Sequence, residues 1–155
     1  MTDLTTADPR TAELAELRIR LHRLETLDEI RRLYVDYGCY VDEGNFAALA
    51  SLFTHEAKLR ITTAIRADGR AEIERVMTEV LGPNPRKRMV HVIGVPRIEL
   101  DGERATGEAL WMAVVNGPDG KPAVVSVGRH CDELVREDGQ WLFASRQGVM
   151  DLPSS

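Results

Sequence analysis

The sequence is poor in the features that announce a specialised protein. Aromatic residues make up only 5% of its 155 residues and cysteine occurs twice. No apolar run approaches the ~18 residues of a membrane span, so a membrane partner is not expected. Cys39 and Cys131 make no disulfide framework and have no metal-ligand spacing, which points to a reduced cytoplasmic compartment and to no metal site. Twenty basic residues against twenty-five acidic ones give a net charge of −5, the wrong sign for a non-specific nucleic-acid binder. The first eight residues, Met1 to Asp8, are polar and acidic, with neither the basic start nor the apolar run of a signal peptide. There is no G-x-G-x-x-G, no P-loop, no H-E-x-x-H and no G-x-S-x-G, so nucleotide, phosphoryl and zinc-hydrolase chemistry are unsupported.

What is present, 43% hydrophobic and 29% charged residues, suits one globular domain. A chain of this length buries roughly 68–70% of its unfolded surface and needs no staples. A flexible tail over residues 1–8 and a single domain over 9–155 are expected. All three tyrosines, Tyr34, Tyr37 and Tyr40, fall within seven residues.

The first half reads as helix. From Pro9, Leu14, Leu17, Leu21 and Leu24 recur at three- and four-residue steps. Thr26-Leu27-Asp28-Glu29 has the form of a capping box, which predicts a second helix through Ile30, Leu33, Tyr34 and Tyr37 to about Asp42, stopping at Gly44. Asn45 can cap a short helix carrying Phe46, Leu49, Leu52 and Phe53. A strand at 57–65 and a helix at about 70–81, closed by Gly82-Pro83, are expected next.

The second half reads as sheet. Asp101-Gly102, Asp119-Gly120 and Asp138-Gly139 separate strand-like runs at about 88–100, 103–116, 121–136 and 140–151. Four strands joined by tight turns predict an antiparallel meander, and helices followed by strands predict an α+β fold. Ala109 to Val115 is apolar on both faces, and so is 88–93, with Met89, His91 and Ile93 on one side and Val90 and Val92 on the other. A sheet apolar on both sides needs a second cover, so a homo-oligomer, dimer or trimer, is expected.

Few residues could carry chemistry. His22 and His55 read as solvated. His91 has apolar same-face neighbours and reads either as a core histidine satisfied by one hydrogen bond or as a general base. Asp42 ends a helix, where the macrodipole disfavours an acid, so a fixed partner is expected. A carboxylate holding one ring nitrogen of a histidine orients the other as a base. Spacing alone does not bring Asp42 to His91. Tyr37 could border a cavity with Asp42 and donate to an oxyanion, or it could be plain packing, as could Tyr34 and Tyr40. His130 shares a strand face with Gly128 and Asp132, whereas Arg129 and Cys131 take the other; which set faces inward stays open. Arg146 could pair with an acid or contact an anion. The run Arg86-Lys87-Arg88 reads as a solvated loop.

The stretches Glu29-Ile30-Arg31-Arg32-Leu33-Tyr34 and Tyr40-Val41-Asp42-Glu43-Gly44-Asn45-Phe46 through Phe53 resemble the opening helices of SnoaL-like proteins. Gly69-Arg70-Ala71-Glu72-Ile73 is similar to their third helix, and Gly128-Arg129-His130 through Phe143 to their last hairpin. The resemblance covers roughly 25–151 and implies the nuclear-transport-factor-2-like fold. That fold is a cone-shaped α+β barrel in which N-terminal helices pack on a curved, mainly antiparallel sheet around an apolar pocket. Within it, a branch with scytalone dehydratase, bile-acid 7α-dehydratase and hexachlorocyclohexane dehydrochlorinase uses a histidine–aspartate dyad. Asp42, Tyr37 five residues before it, and His91 stand where that branch has its functional residues. The resemblance thus implies a cofactor-independent elimination on a small hydrophobic ring compound, with His91, Asp42 and Tyr37 as catalytic residues. Tyr34, Tyr40, His130, Trp111 and Arg146 are the candidates for substrate contact. An isomerase or cyclase resembling the ketosteroid isomerases, and a non-catalytic ligand-binding or assembly module, are the alternatives on the same fold.

Overall fold

A computed structural model describes residues 9–83 and 89–152; the tail at 1–8 and the run Arg86-Lys87-Arg88 lie outside the described residues. The chain begins with one long helix, α1 (Pro9–Glu43), followed by α2 (Phe46–Ser51). Strands β1 (Phe53–Arg60) and β2 (Arg66–Asp68) lead into α3 (Arg70–Leu81). The remainder is sheet: β3 (Met89–Ile93), β4 (Arg97–Asp101), β5 (Arg104–Asn116), β6 (Pro122–Glu137) and β7 (Gln140–Leu152).

The helix break expected at Thr26 does not occur. No glycine or proline interrupts the chain between Arg10 and Tyr37, and Leu24, Glu25 and Leu27 are good helix formers, so the capping-box residues sit inside a continuous helix. The helix does end where glycine allows it. Gly44 takes a left-handed φ of 72°, and the Asn45 side chain then accepts from the Ala48 N–H to start α2.

The strand expected at 57–65 is instead a hairpin. Thr62 turns the chain by accepting from the Ala64 and Ile65 N–H groups, and β2 folds back on β1. The run 88–100 is likewise two strands, divided at Gly94-Val95-Pro96, where proline has no N–H to give the ladder. Both pieces pair with β5: Met89–Ile93 against Val115–Trp111, and Arg97–Asp101 against Glu108–Arg104. The three Asp-Gly turns fall where expected. In the β6–β7 hairpin both turn residues, Asp138 and Gly139, have positive φ, the signature of a tight primed turn.

The sheet order is β2-β1-β7-β6-β5-β3, with β4 also on β5. All pairings are antiparallel except β1 with β7, which are parallel and set Leu59 beside Arg146. The sheet is therefore mixed and open, an α+β architecture in which the cone stays unclosed. Register shifts in β5, β6 and β7 bend it. Helix α1 lays Ile30, Tyr34, Tyr37 and Val41 against the inner face, where Phe53, Leu59, Leu134 and Phe143 complete the core. The outer face leaves Val90, Val92, Leu110 and Val124 exposed. No helix among the described residues is long and apolar enough to cross a membrane.

Candidate active site

Asp42 and His91, forty-nine residues apart, meet at the C-terminal end of α1. The His91 ring nitrogen Nδ1 lies 2.8 Å from Asp42 Oδ1. The His91 backbone N–H also donates to the same carboxylate, at 3.1 and 3.2 Å to its two oxygens. These contacts resolve the conflict noted for an acid at a helix C-terminus: a backbone N–H and an imidazole offset the unfavourable end of the dipole. Asp42 is 4% exposed, whereas the His91 side chain keeps 22%. Because a carboxylate only accepts, Nδ1 carries the proton and Nε2 is left as the free basic nitrogen.

His91 lines a cavity of about 190 Å³ between the sheet, α1 and α3. Tyr37, Trp111 and His130 are polar-tipped members of its wall, with Ser126 and Thr62. The rest is apolar and includes Met77 and Leu81 of α3, Ile61, Ile65 and Met150. The sequence reading missed this second wall, because Met77 and Leu81 look like ordinary helix-packing residues on their own. A larger and more open groove of about 420 Å³ lies on the outer sheet face, among Arg97, Glu99, Glu108 and Cys131. It is polar and shallow and contains neither dyad residue, so the smaller, more enclosed cavity is the candidate site.

The open choice on β6 is settled by burial: Gly128, His130 and Asp132 face inward, and Cys131 outward. His130 stacks on Trp111 (ring centroids 5.7 Å apart) and meets the Tyr37 ring edge-on at the same distance. Burial, then the Arg146 and His91 charges, hold its pKa well below the ordinary histidine value. It is thus a neutral group at neutral pH, and its buried Nδ1 has no protein partner, nor has Trp111 Nε1. Both residues line the cavity, while these two polar atoms are themselves buried.

Below this wall Arg146, fully buried, makes a two-pronged ion pair with Asp132, both hydrogen bonds 2.8 Å. The two residues are direct cross-strand partners on β6 and β7. The guanidinium also lies 4.0 Å from the ring centres of Tyr37 and Phe143 and 4.9 Å from that of Tyr34. Burial pulls Arg146 toward its neutral form, but the Asp132 carboxylate more than offsets this and raises its pKa. Burial raises the pKa of Tyr37 too, so its hydroxyl stays a donor at neutral pH. The Tyr34 hydroxyl is close enough to feel Asp132 and Arg146, yet makes no fully formed hydrogen bond.

Of the residues singled out from sequence, His91, Tyr37, Trp111 and His130 line the cavity, and Asp42 holds His91 from behind. Tyr34, Tyr40 and Arg146 are not among the lining residues: Tyr34 and Arg146 are buried beneath the wall, and half-buried Tyr40 packs against the core. His22 and His55 are exposed. Among the described residues, no three histidine, cysteine, aspartate or glutamate side chains converge as a metal-binding set.

Comparison with solved structures places the fold. A nuclear-transport-factor-2-like protein with a cystatin-like fold from Novosphingobium aromaticivorans aligns with a TM-score of 0.81 at 23% identity, covering 92% of each chain. A candidate scytalone dehydratase from the same organism gives 0.69 at 19% identity, covering 84% of this chain and 87% of that one. A type 2 hexachlorocyclohexane dehydrochlorinase gives 0.73 at 23% identity, covering 85% and 89%. No curated protein matches the sequence significantly. The model of the SnoaL-like domain matches residues 22–147, most of the chain, and the protein belongs to that family.

Proposed function

We propose that the protein is a cofactor-independent lyase that eliminates water, or another leaving group, from a small neutral ring compound. The observation that carries this reading is the 2.8 Å contact that fixes the His91 tautomer against buried Asp42 on the wall of an apolar cavity. His91 Nε2 removes a proton from carbon, and the C–H electron pair becomes the new C=C bond. The C–O pair departs with the oxygen, which receives a hydrogen bond from Tyr37 and then the proton held by the His91 imidazolium, so it leaves as water and His91 returns to neutral. Asp42 stabilises the imidazolium formed in between. Exclusion of water by the apolar wall strengthens each of these contacts. The cavity holds about six waters at liquid volume, which corresponds to one or two fused rings. Among the described residues no cation belongs to its lining, which favours a neutral substrate. Two of the similar structures are named for eliminations, which favours this outcome over return of the proton to another carbon, the isomerase reading.

The proton abstraction can be tested without knowing the leaving group. Incubated with 2-tetralone in D2O, the protein is expected to accelerate exchange at the acidic ring carbon, read by NMR. His91→Gln should abolish the acceleration, and Asp42→Asn should reduce it by about 10²–10⁴-fold. Wild-type rates in His91→Gln, with the fold intact by circular dichroism, would remove the base from the mechanism. Binding of the ketone without exchange by the native protein would favour the ligand-binding module instead.

A further inference from the structure

The first half of α1 has no role in the site. Residues 10–25 are exposed throughout, and Leu14, Leu17, Leu21 and Leu24 are 50–62% exposed along one stripe. Their 3-4-3 spacing is that of the a and d positions of two heptads. At ~100° per residue, this stripe lies roughly 150° from the one carrying Ile30, Tyr34, Tyr37 and Val41, so it points away from the chain's own domain. Ile19, 71% exposed, falls outside the stripe. Asp28 and Arg31 continue it with charges, which ends the apolar seam after Leu24.

The flanking charges identify what fits this seam. With Leu14 and Leu21 at a, the g positions are Glu13 and Arg20 and the e positions are Arg18 and Glu25. In a parallel pair of identical helices, each g residue meets the e residue of the partner's next heptad. That sets Glu13 against Arg18 and Arg20 against Glu25, two opposite-charge contacts, each made twice by symmetry. None of these four side chains makes an ion pair among the described residues of one chain. An antiparallel pairing that matches the leucine layers brings Arg18 to Arg18 and Arg20 to Arg20 instead. We propose that α1 pairs in parallel and in register with the same segment of a second copy of this chain. Two heptads are short for an isolated coiled coil. Here the helix is already nucleated by the half buried in the domain, which removes the costliest step.

The test is sedimentation velocity of the full chain over a wide concentration range at low ionic strength. The wild type should associate in a concentration-dependent and salt-sensitive way. R18E/R20E turns both pairs into like-charge contacts and should weaken association about tenfold or more, with loss of one association step. Adding E13R and E25R restores opposite signs and should restore the wild-type state. These positions touch nothing in the domain, so near-ultraviolet circular dichroism of Trp111 and Trp141 should be unchanged in every variant. The proposal is overturned by a monomer at every concentration or by assembly indifferent to R18E/R20E, as contact through the outer sheet face would give. A fourfold variant that fails to reassociate overturns it too. None of these outcomes bears on the His91–Asp42 dyad.

Discussion

The buried Asp132–Arg146 pair yields a prediction whose size follows from its surroundings. Both side chains are completely withdrawn from solvent, joined by two 2.8 Å hydrogen bonds, with three aromatic rings stacked on the guanidinium. Removing one member leaves the other as an uncompensated charge in a low-dielectric interior, which costs about 3–5 kcal/mol. Asp132→Leu and Arg146→Met should each fall in this range. Arg146→Met also forfeits the cation–π contacts, worth up to about 2 kcal/mol when desolvated. The double substitution leaves no unpaired charge and fills comparable space, so it should cost less than either single, which makes the coupling at least about 3 kcal/mol. For a domain of this size each single corresponds to a melting shift of about 6–20 °C. Equilibrium urea unfolding at fixed protein concentration, followed by tryptophan fluorescence, measures the cycle. Losses below about 1 kcal/mol for the singles, or strict additivity in the double, would refute this account of the pair.

Two further predictions concern the cavity wall. His130 is held neutral in the native state, with a pKa well below that of the unfolded chain. The unfolded state therefore binds more protons under mild acid, and this contribution is complete above the unfolded value near 6.5 and lost as pH falls below it. Urea unfolding should show His130→Phe losing less than wild type between pH 7.5 and 5.5, by up to about 1.4 kcal/mol, and parallel losses would contradict it. A methyl group at Gly128 would run into the Val149 carbonyl oxygen and lie 2.7 Å from the Trp111 ring. Gly128→Ala should thus cost about 1–3 kcal/mol and shift the Trp111 fluorescence, and a silent substitution would count against this packing.

What could be read in the sequence divides by how far each feature reaches along the chain. Turns and caps depend on a few neighbours: Gly44 and Asn45 end one helix and begin the next, and Asp138-Gly139 needs only its own backbone preferences. The continuity of α1 shows the limit even there, because Thr26 and Glu29 satisfy a capping pattern that an uninterrupted helix simply overrides. Strand parity sorted His91 from Val90 and Val92, since only one set carried a polar group among apolar neighbours. The same reasoning failed on β6, where His130 and Asp132 on one face and Arg129 and Cys131 on the other are equally mixed. The deciding fact lies on another strand. Arg146 stands directly across from Asp132, and only as a pair can both residues be buried. That pairing turns His130 inward and seats a cation beneath Tyr37, which burial keeps protonated against the opposing pull of Arg146. His91 and Asp42 each left a local trace in the sequence, a lone histidine on an apolar face and a helix-ending acid. The floor beneath them left none, because it exists only once β6 and β7 are in register.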